Sequence, residues 1–282
     1  METTDGLPHF IVIGALKCGT TWLDVQLRAH HDLHLPSGIK EVNFFSYEYD
    51  RGLNWYKSFW DVVPADCNAG SRRGEVSPTY FDHPDAPERM YRHVPEVQLV
   101  VLLREPTRRL YSQYTHYVAR TGYSAGLETF LVEHRNAVET GFYDLNIQRF
   151  LRYFSPEQLK IVIFEEMIAN PENVLRRLRP HLGVPADGPW RVLNTAAVNR
   201  TTNPWFPYLT RAAKSGAGTL RNLGADWVVH ALGRLGIKKL TRGGRAFPKI
   251  PSELQDMLQR EYEPHVKDLE SFLGRKIEEW HS

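Results

Sequence analysis

The sequence predicts a three-layer α/β fold, a central parallel β-sheet flanked by helices, on three observations. Short apolar runs, mostly β-branched, recur at residues 10–13, 98–103 and 158–164 with helix-patterned segments between them. That alternation builds parallel strands joined by crossover helices. The run Gln98–Leu103 is apolar at successive rather than alternate positions, as a strand covered on both faces requires. The first run enters a glycine-bounded loop and then a helix, an order in which loop amides and a helix N-terminus converge on an anion. The fold is therefore expected to be P-loop-containing, as a single domain over residues 1–282 with a basic insertion or lid at about 203–250.

The loop is Gly14-Ala15-Leu16-Lys17-Cys18-Gly19-Thr20-Thr21, and a helix is expected over 22–29. In nucleoside triphosphatases the lysine directly precedes Ser or Thr, so that the hydroxyl holds Mg²⁺. Here Gly19 is followed by Thr20 and the lysine, Lys17, lies inside the loop. This arrangement suits a phosphate-containing donor that needs no metal. His30, His31, Asp32 and His34 follow closely. No distant set with ligand spacing accompanies them, so exposed imidazoles at a helix end are expected rather than a metal site.

Lys40 and Glu41 stand against the apolar and aromatic run Val42-Asn43-Phe44-Phe45. Lining a cleft, Glu41 would be partly desolvated, which raises a carboxylate pKa and fits it for proton abstraction. The aromatic residues Tyr47, Tyr49, Trp55, Tyr56, Phe59 and Trp60 allow one short helix from Trp55 to Trp60, packed as core or walling an acceptor site. A strand over 74–81 is broken at Ser77-Pro78. Its end carries Ser77 and Tyr80 to the edge where α/β sheets hold ligands.

The strand Gln98–Leu103 ends at Arg104-Glu105-Pro106, with Pro106 set for the first turn of a helix. That helix carries Leu110, Tyr114 and Tyr117 on one face, and Arg108, Arg109 and Ser112 elsewhere. Arg104 at the carboxyl end of a central strand could grip a second phosphate with its planar fork. His116, beyond Ser112, is a reserve base. Helices are expected over 127–140, 142–154, 171–182 and 251–273, and a strand over 158–164. Between Arg211 and Arg245 eight basic residues accompany one acidic residue, Asp226. An amphipathic helix over 225–235 and the flexible Arg242-Gly243-Gly244-Arg245 suggest a solvated face or a positive lid over an anionic site.

A hydrophobic content of 42% with seven tryptophans supports a substantial core, and a net charge of +2 implies no global attraction to nucleic acid. The two cysteines, Cys18 and Cys67, read as reduced thiols. The polar, acidic N-terminus does not resemble a signal peptide, and no run of about 18 apolar residues offers a membrane span. A cytoplasmic protein is expected.

Taken in order, four motifs resemble those of sulfotransferases that use 3′-phosphoadenosine 5′-phosphosulfate (PAPS), particularly bacterial members related to the heparan-sulfate sulfotransferases. The first loop is similar to the family's 5′-phosphosulfate loop, and Lys40-Glu41-Val42-Asn43-Phe44-Phe45 to the segment holding its catalytic glutamate. Leu103-Arg104-Glu105-Pro106 through Ser112 resembles the 3′-phosphate motif, and Gly243-Gly244-Arg245-Ala246-Phe247-Pro248 the loop that covers the nucleotide. The resemblance implies Glu41 as base and Lys17 as stabiliser of the leaving phosphate. It implies a donor held by Lys17, Cys18, Gly19, Thr20, Thr21, Arg104, Ser112, Gly244 and Arg245, with adenosine 3′,5′-bisphosphate as product and no metal. The acceptor would bear a hydroxyl, on a carbohydrate, lipid, natural product or carrier-bound acyl chain, near Lys40, Ser77, Tyr80 and His116.

Two positions depart from that pattern. Val76 stands where the heparan-sulfate enzymes have a lysine before Thr-Pro, leaving Lys40 as the nearest cation in sequence to replace it. Gly243 stands where their covering loop has lysine, with Arg242 and Arg245 beside it. A P-loop kinase, or a non-catalytic nucleotide-binding protein, is the alternative.

Overall fold

The computed structural model describes residues 6–61, 71–185, 190, 192–193, 203–204, 244–245 and 247–281. Five strands form the central sheet: β1 (Phe10–Gly14), β2 (Leu33–His34), β3 (Arg72–Val76), β4 (Gln98–Leu103) and β5 (Leu159–Ile163). Their order is β2-β3-β1-β4-β5, and every pairing is parallel. The chain thus begins in the middle of the sheet and winds outward both ways, which opens a crevice at the carboxyl end of β1. β1 is wholly buried and β4 is buried from Leu99 onward, the apolar continuity that parallel strands between helix layers need.

The helices are α1 (Thr20–Arg28), α2 (Leu53–Lys57), α3 (Ala86–His93), α4 (Pro106–Thr121), α5 (Leu127–Glu133), α6 (Arg135–Glu139), α7 (Tyr143–Leu151), α8 (Phe164–Ala169), α9 (Pro171–Leu182) and α10 (Ser252–Leu273). The main core runs through the sheet into the aromatic segment after residue 43. A smaller one joins α4, α5, α6 and α10 through Leu110, Phe130, Val138, Leu258 and Tyr262. Fully buried Arg109 links α4 to α6 by donating to the Ala137 carbonyl.

The structure refines several sequence expectations. The single helix expected over 127–140 is two, α5 and α6, because the backbone leaves helical geometry at His134 (φ −125°, ψ 53°). The helix expected over 142–154 closes at Leu151, and Phe164 opens α8 rather than ending β5. β2, α3 and α8 are additions. The expectation of exposed imidazoles after α1 is corrected for two of three: His34 is drawn into the sheet by β2, and His30 is buried edge-on against Trp190, 4.6 Å between ring centroids.

Contacts to α1 and α4 hold the later described residues of the chain. Buried Gln26 on α1 donates to the Leu193 carbonyl and accepts from its amide, both at 2.9 Å, while Trp190 donates to the Gln26 carbonyl. Beyond it, β6 (Asn203–Pro204) pairs antiparallel with β7 (Gly244–Arg245), and β6 lies against α4. Tyr111 on α4 donates to the Pro248 carbonyl. The helix expected over 225–235, Arg242, Gly243 and Cys67 lie outside the described residues.

Candidate active site

The loop between β1 and α1 is built for close approach. At Gly14 a Cβ would sit 2.5 Å from the Phe81 Cβ. Gly19 has φ +93°, and a Cβ there would meet Met167 Cε at 2.7 Å and Phe164 Cδ2 at 2.9 Å. Glycine therefore lets the loop lie flat on α8 and turn into α1. No side chain caps α1, and no acidic residue stands in its first turn. Its leading amides are left for an external anion. α4 makes the contrast: the Glu105 carboxylate caps it, accepting from the amides of Thr107 at 2.9 Å and Arg108 at 2.7 Å. Of the two helix starts at this edge, α1 is the one prepared for a ligand.

Cys18 is fully buried, its sulfur 3.9 Å from the Tyr143 hydroxyl, and burial pushes the thiol up to about 11. The side chain is therefore a neutral packing group, and the residue offers only backbone to a ligand. Thr20 is likewise buried.

Four charged groups converge beside the loop. Burial, reinforced by Arg104 and Lys40, pulls the Lys17 ammonium down to about 8, with Glu41 acting in the opposite sense. Lys40 Nζ lies 2.7 Å from Glu41 Oε1 and 3.1 Å from Thr21 Oγ1. The expectation that Glu41 is desolvated is corrected: its side chain is 36% exposed and its charge is met by Lys40. Lys40 thereby joins the glutamate segment to the first turn of α1. Val76, by contrast, is fully buried and opposite Val12 in the sheet.

Arg104 leaves the carboxyl end of β4 with its guanidinium 4.8 Å above the Phe164 ring. Its carbonyl accepts from Tyr143 at 2.7 Å. Phe164 thus supports both Gly19 and Arg104, a role concealed in the sequence because the residue reads as the last of a strand. Ser112 is half-buried on the second turn of α4, and His116 is exposed further along the same helix. Gly244 and Arg245, as β7, belong to the small sheet against α4.

Ser77 and Tyr80, expected at the acceptor, are fully buried, and neither side chain is presented to a ligand. Both instead hold the glutamate segment from beneath. Ser77 Oγ accepts from the Asn43 amide at 3.1 Å, and Thr79 donates to Asn43 Oδ1 at 2.8 Å. Tyr80 packs edge-on against Phe45, 5.6 Å between centroids. Among the described residues no group of three or more His, Cys, Asp or Glu is arranged to hold a metal ion, and no helix is long and apolar enough to cross a membrane.

Comparison with known proteins agrees with this arrangement. Residues 7–205 match the family model described as the sulfotransferase domain. Heparan sulfate glucosamine 3-O-sulfotransferase 3A1 of Mus musculus is 28% identical over 283 residues, covering 97% of this chain and 65% of that protein. Bifunctional heparan sulfate N-deacetylase/N-sulfotransferase 4 of Mus musculus is 33% identical over 204 residues, covering 65% of this chain and 23% of that protein. The crystal structure of a sulfotransferase from Alicyclobacillus acidocaldarius superposes with a TM-score of 0.70 at 23% identity, covering 98% of this chain and 99% of that one. An α1 start without a cap, three cations around it and a family match over residues 7–205 lead to one conclusion: the chain belongs to the sulfotransferase family.

Proposed function

We propose that the protein transfers a sulfuryl group from PAPS to an acceptor hydroxyl by in-line displacement. The observation that carries this reading is the Lys17–Lys40–Glu41–Arg104 cluster beside the open N-terminus of α1. In this reading the amides of Gly19, Thr20 and Thr21 and the Lys17 ammonium bind the 5′-phosphosulfate. Lys17 neutralises charge on the bridging oxygen as adenosine 3′,5′-bisphosphate departs. Arg104 and Ser112 bind the 3′-phosphate, with Gly244 and Arg245 covering the nucleotide from the α4 side. Glu41 takes the acceptor proton. Lys40 pairs with Glu41 and aims it, and supplies the cation that Val76 does not. The reaction needs no metal because the bisphosphate is already a good leaving group.

The acceptor is a hydroxyl-bearing molecule, and the name of the 3-O-sulfotransferase relative makes a glucosamine-containing carbohydrate the first one to test. Lipids, natural products and carrier-bound acyl chains complete the set, with His116 at the exposed acceptor side. The chain acts as one domain over residues 1–282, and the thiol Cys18 suits the reducing cytoplasm. The test is transfer of radiolabelled sulfate from PAPS into these acceptor classes and into a host extract, without added metal. Labelled product supports the reading. Phosphate transfer from ATP stimulated by Mg²⁺, with no sulfate transfer, replaces it with a kinase.

A further inference from the structure

Glu75 is the residue of this neighbourhood that the reaction leaves unused. It lies on β3, paired with Ile11 of β1, and is fully buried. Its carboxyl faces two phenols that are also fully buried, Tyr56 from α2 and Tyr80 from the turn after β3. Neither carboxyl oxygen nor either hydroxyl has a partner of regular hydrogen-bond geometry, yet both phenols lie close enough to act on the carboxyl proton. The same two phenols grip the glutamate segment. Tyr56 stacks on Phe44 (4.4 Å, 11° between planes) and meets Phe45 edge-on at 5.1 Å, while Tyr80 meets Phe45 edge-on at 5.6 Å. Phe44 and Phe45 stand three and four residues after Glu41, and the intervening Asn43 carbonyl accepts from the amides of Ser46, Tyr47 and Glu48.

We propose that Glu75 is a positioning residue: as a neutral carboxylic acid it holds Tyr56 and Tyr80, and through them fixes the segment that carries Glu41. This rests on the sulfotransferase reading only for its link to turnover. A carboxylate enclosed by aromatic rings is costly, whereas the protonated acid satisfies the phenols as donor and acceptor. Burial accordingly pushes the Glu75 carboxyl up to about 8, opposed by the two phenols. The ionisable groups facing it are the Tyr56 and Tyr80 hydroxyls. The elements around it also carry His34 on β2, Arg72 and Arg73 on β3, Lys57 on α2, and Glu88, Arg89, Tyr91, Arg92 and His93 on α3, the last bonded to the Tyr49 hydroxyl.

The test compares wild type with Glu75→Gln, which stays neutral at every pH. Unfolded Glu75 ionises near 4.5 and native Glu75 near 8. The native state therefore binds more protons between those values, and wild-type stability falls through that window as pH rises, then levels. Relative to Glu75→Gln, the melting temperature of wild type should decline from pH 5 to 8. Amide exchange over residues 43–48, corrected for intrinsic rates, should quicken about tenfold in wild type between pH 6.5 and 9.5 and stay constant in the variant. At saturating PAPS, which keeps Lys17 charged, kcat should lose its alkaline limb only in the variant.

Constant wild-type protection of residues 43–48 from pH 6.5 to 9.5 overturns the proposal, and this measurement needs no variant. So do superimposable stability curves for the two proteins. Exchange that shifts while kcat profiles coincide overturns the connection to Glu41. Absence of sulfate transfer by either protein instead counts against the proposed function, and stability and exchange still decide the role of Glu75.

Discussion

Lys40 Nζ sits between Glu41 Oε1 at 2.7 Å and Thr21 Oγ1 at 3.1 Å, so one ammonium joins the proposed base to the helix proposed to receive the donor. Both partners of the ion pair are part-exposed, 26% and 36%, and such pairs add at most about 1 kcal/mol to stability. Their value lies in aim. Lys40→Met should leave the melting temperature nearly unchanged and lower kcat at least about tenfold, as loss of alignment does. Glu41→Gln should lower kcat about 10²-fold or more while donor affinity holds. Steady-state kinetics with calorimetric donor binding checks both, and unchanged kcat in Glu41→Gln removes it as the base.

Arg104 should distinguish nucleotides by their 3′-phosphate. A charge-assisted hydrogen bond contributes about 1.5–3 kcal/mol, so Arg104→Ala should weaken adenosine 3′,5′-bisphosphate about 10- to 150-fold. Adenosine 5′-monophosphate should be affected far less. Titration calorimetry with both ligands reads the difference, and equal losses would withdraw the 3′-phosphate assignment.

Lys17 makes donor binding pH-dependent. Burial and the neighbouring cations bring its ammonium to about 8 in the free protein, and a bound anion raises it again. Binding should therefore take up a proton near pH 8, and affinity should fall by up to about tenfold per pH unit above it. Calorimetry in buffers of different ionisation enthalpy measures that proton. Lys17→Met should bind more weakly and take up none there.

Gly19 tests the loop's fit against α8. Alanine there brings a Cβ within 2.7 Å of Met167 Cε and 2.9 Å of Phe164 Cδ2, at a φ of +93°. Gly19→Ala should cost about 1–3 kcal/mol in denaturant unfolding and weaken the donor through displacement of Phe164 beneath Arg104. Wild-type stability in this variant would show that the loop moves freely over α8.

Legibility followed the range of the interactions involved. The buried strands and the glycine-bounded, lysine-bearing loop are visible in short windows, because period, glycine and lysine positions are local properties. The Lys40–Glu41–Thr21 link joins positions 20 residues apart on separate elements, and no window contains it. Ser77 and Tyr80 read as acceptor residues from their place at a strand end, which shows where a segment goes but not which side chains are covered, and both are fully buried. Glu75, between Gly74 and Val76, belongs to no motif, although an ionisable residue in a strand of a double-covered sheet is itself a signal.

By itself, the sequence determined the parallel sheet, the lysine-bearing loop at its centre and the donor chemistry that its motifs resemble. Local chain preferences and apolar patterning suffice for these. Only the tertiary structure decided that α1 is open while α4 is closed by Glu105, that Lys40 holds Glu41, and that a buried carboxyl lies beneath them. Those outcomes depend on which side chains meet across elements and on how much water each retains, and charge and proton affinity follow from that surrounding rather than from residue type.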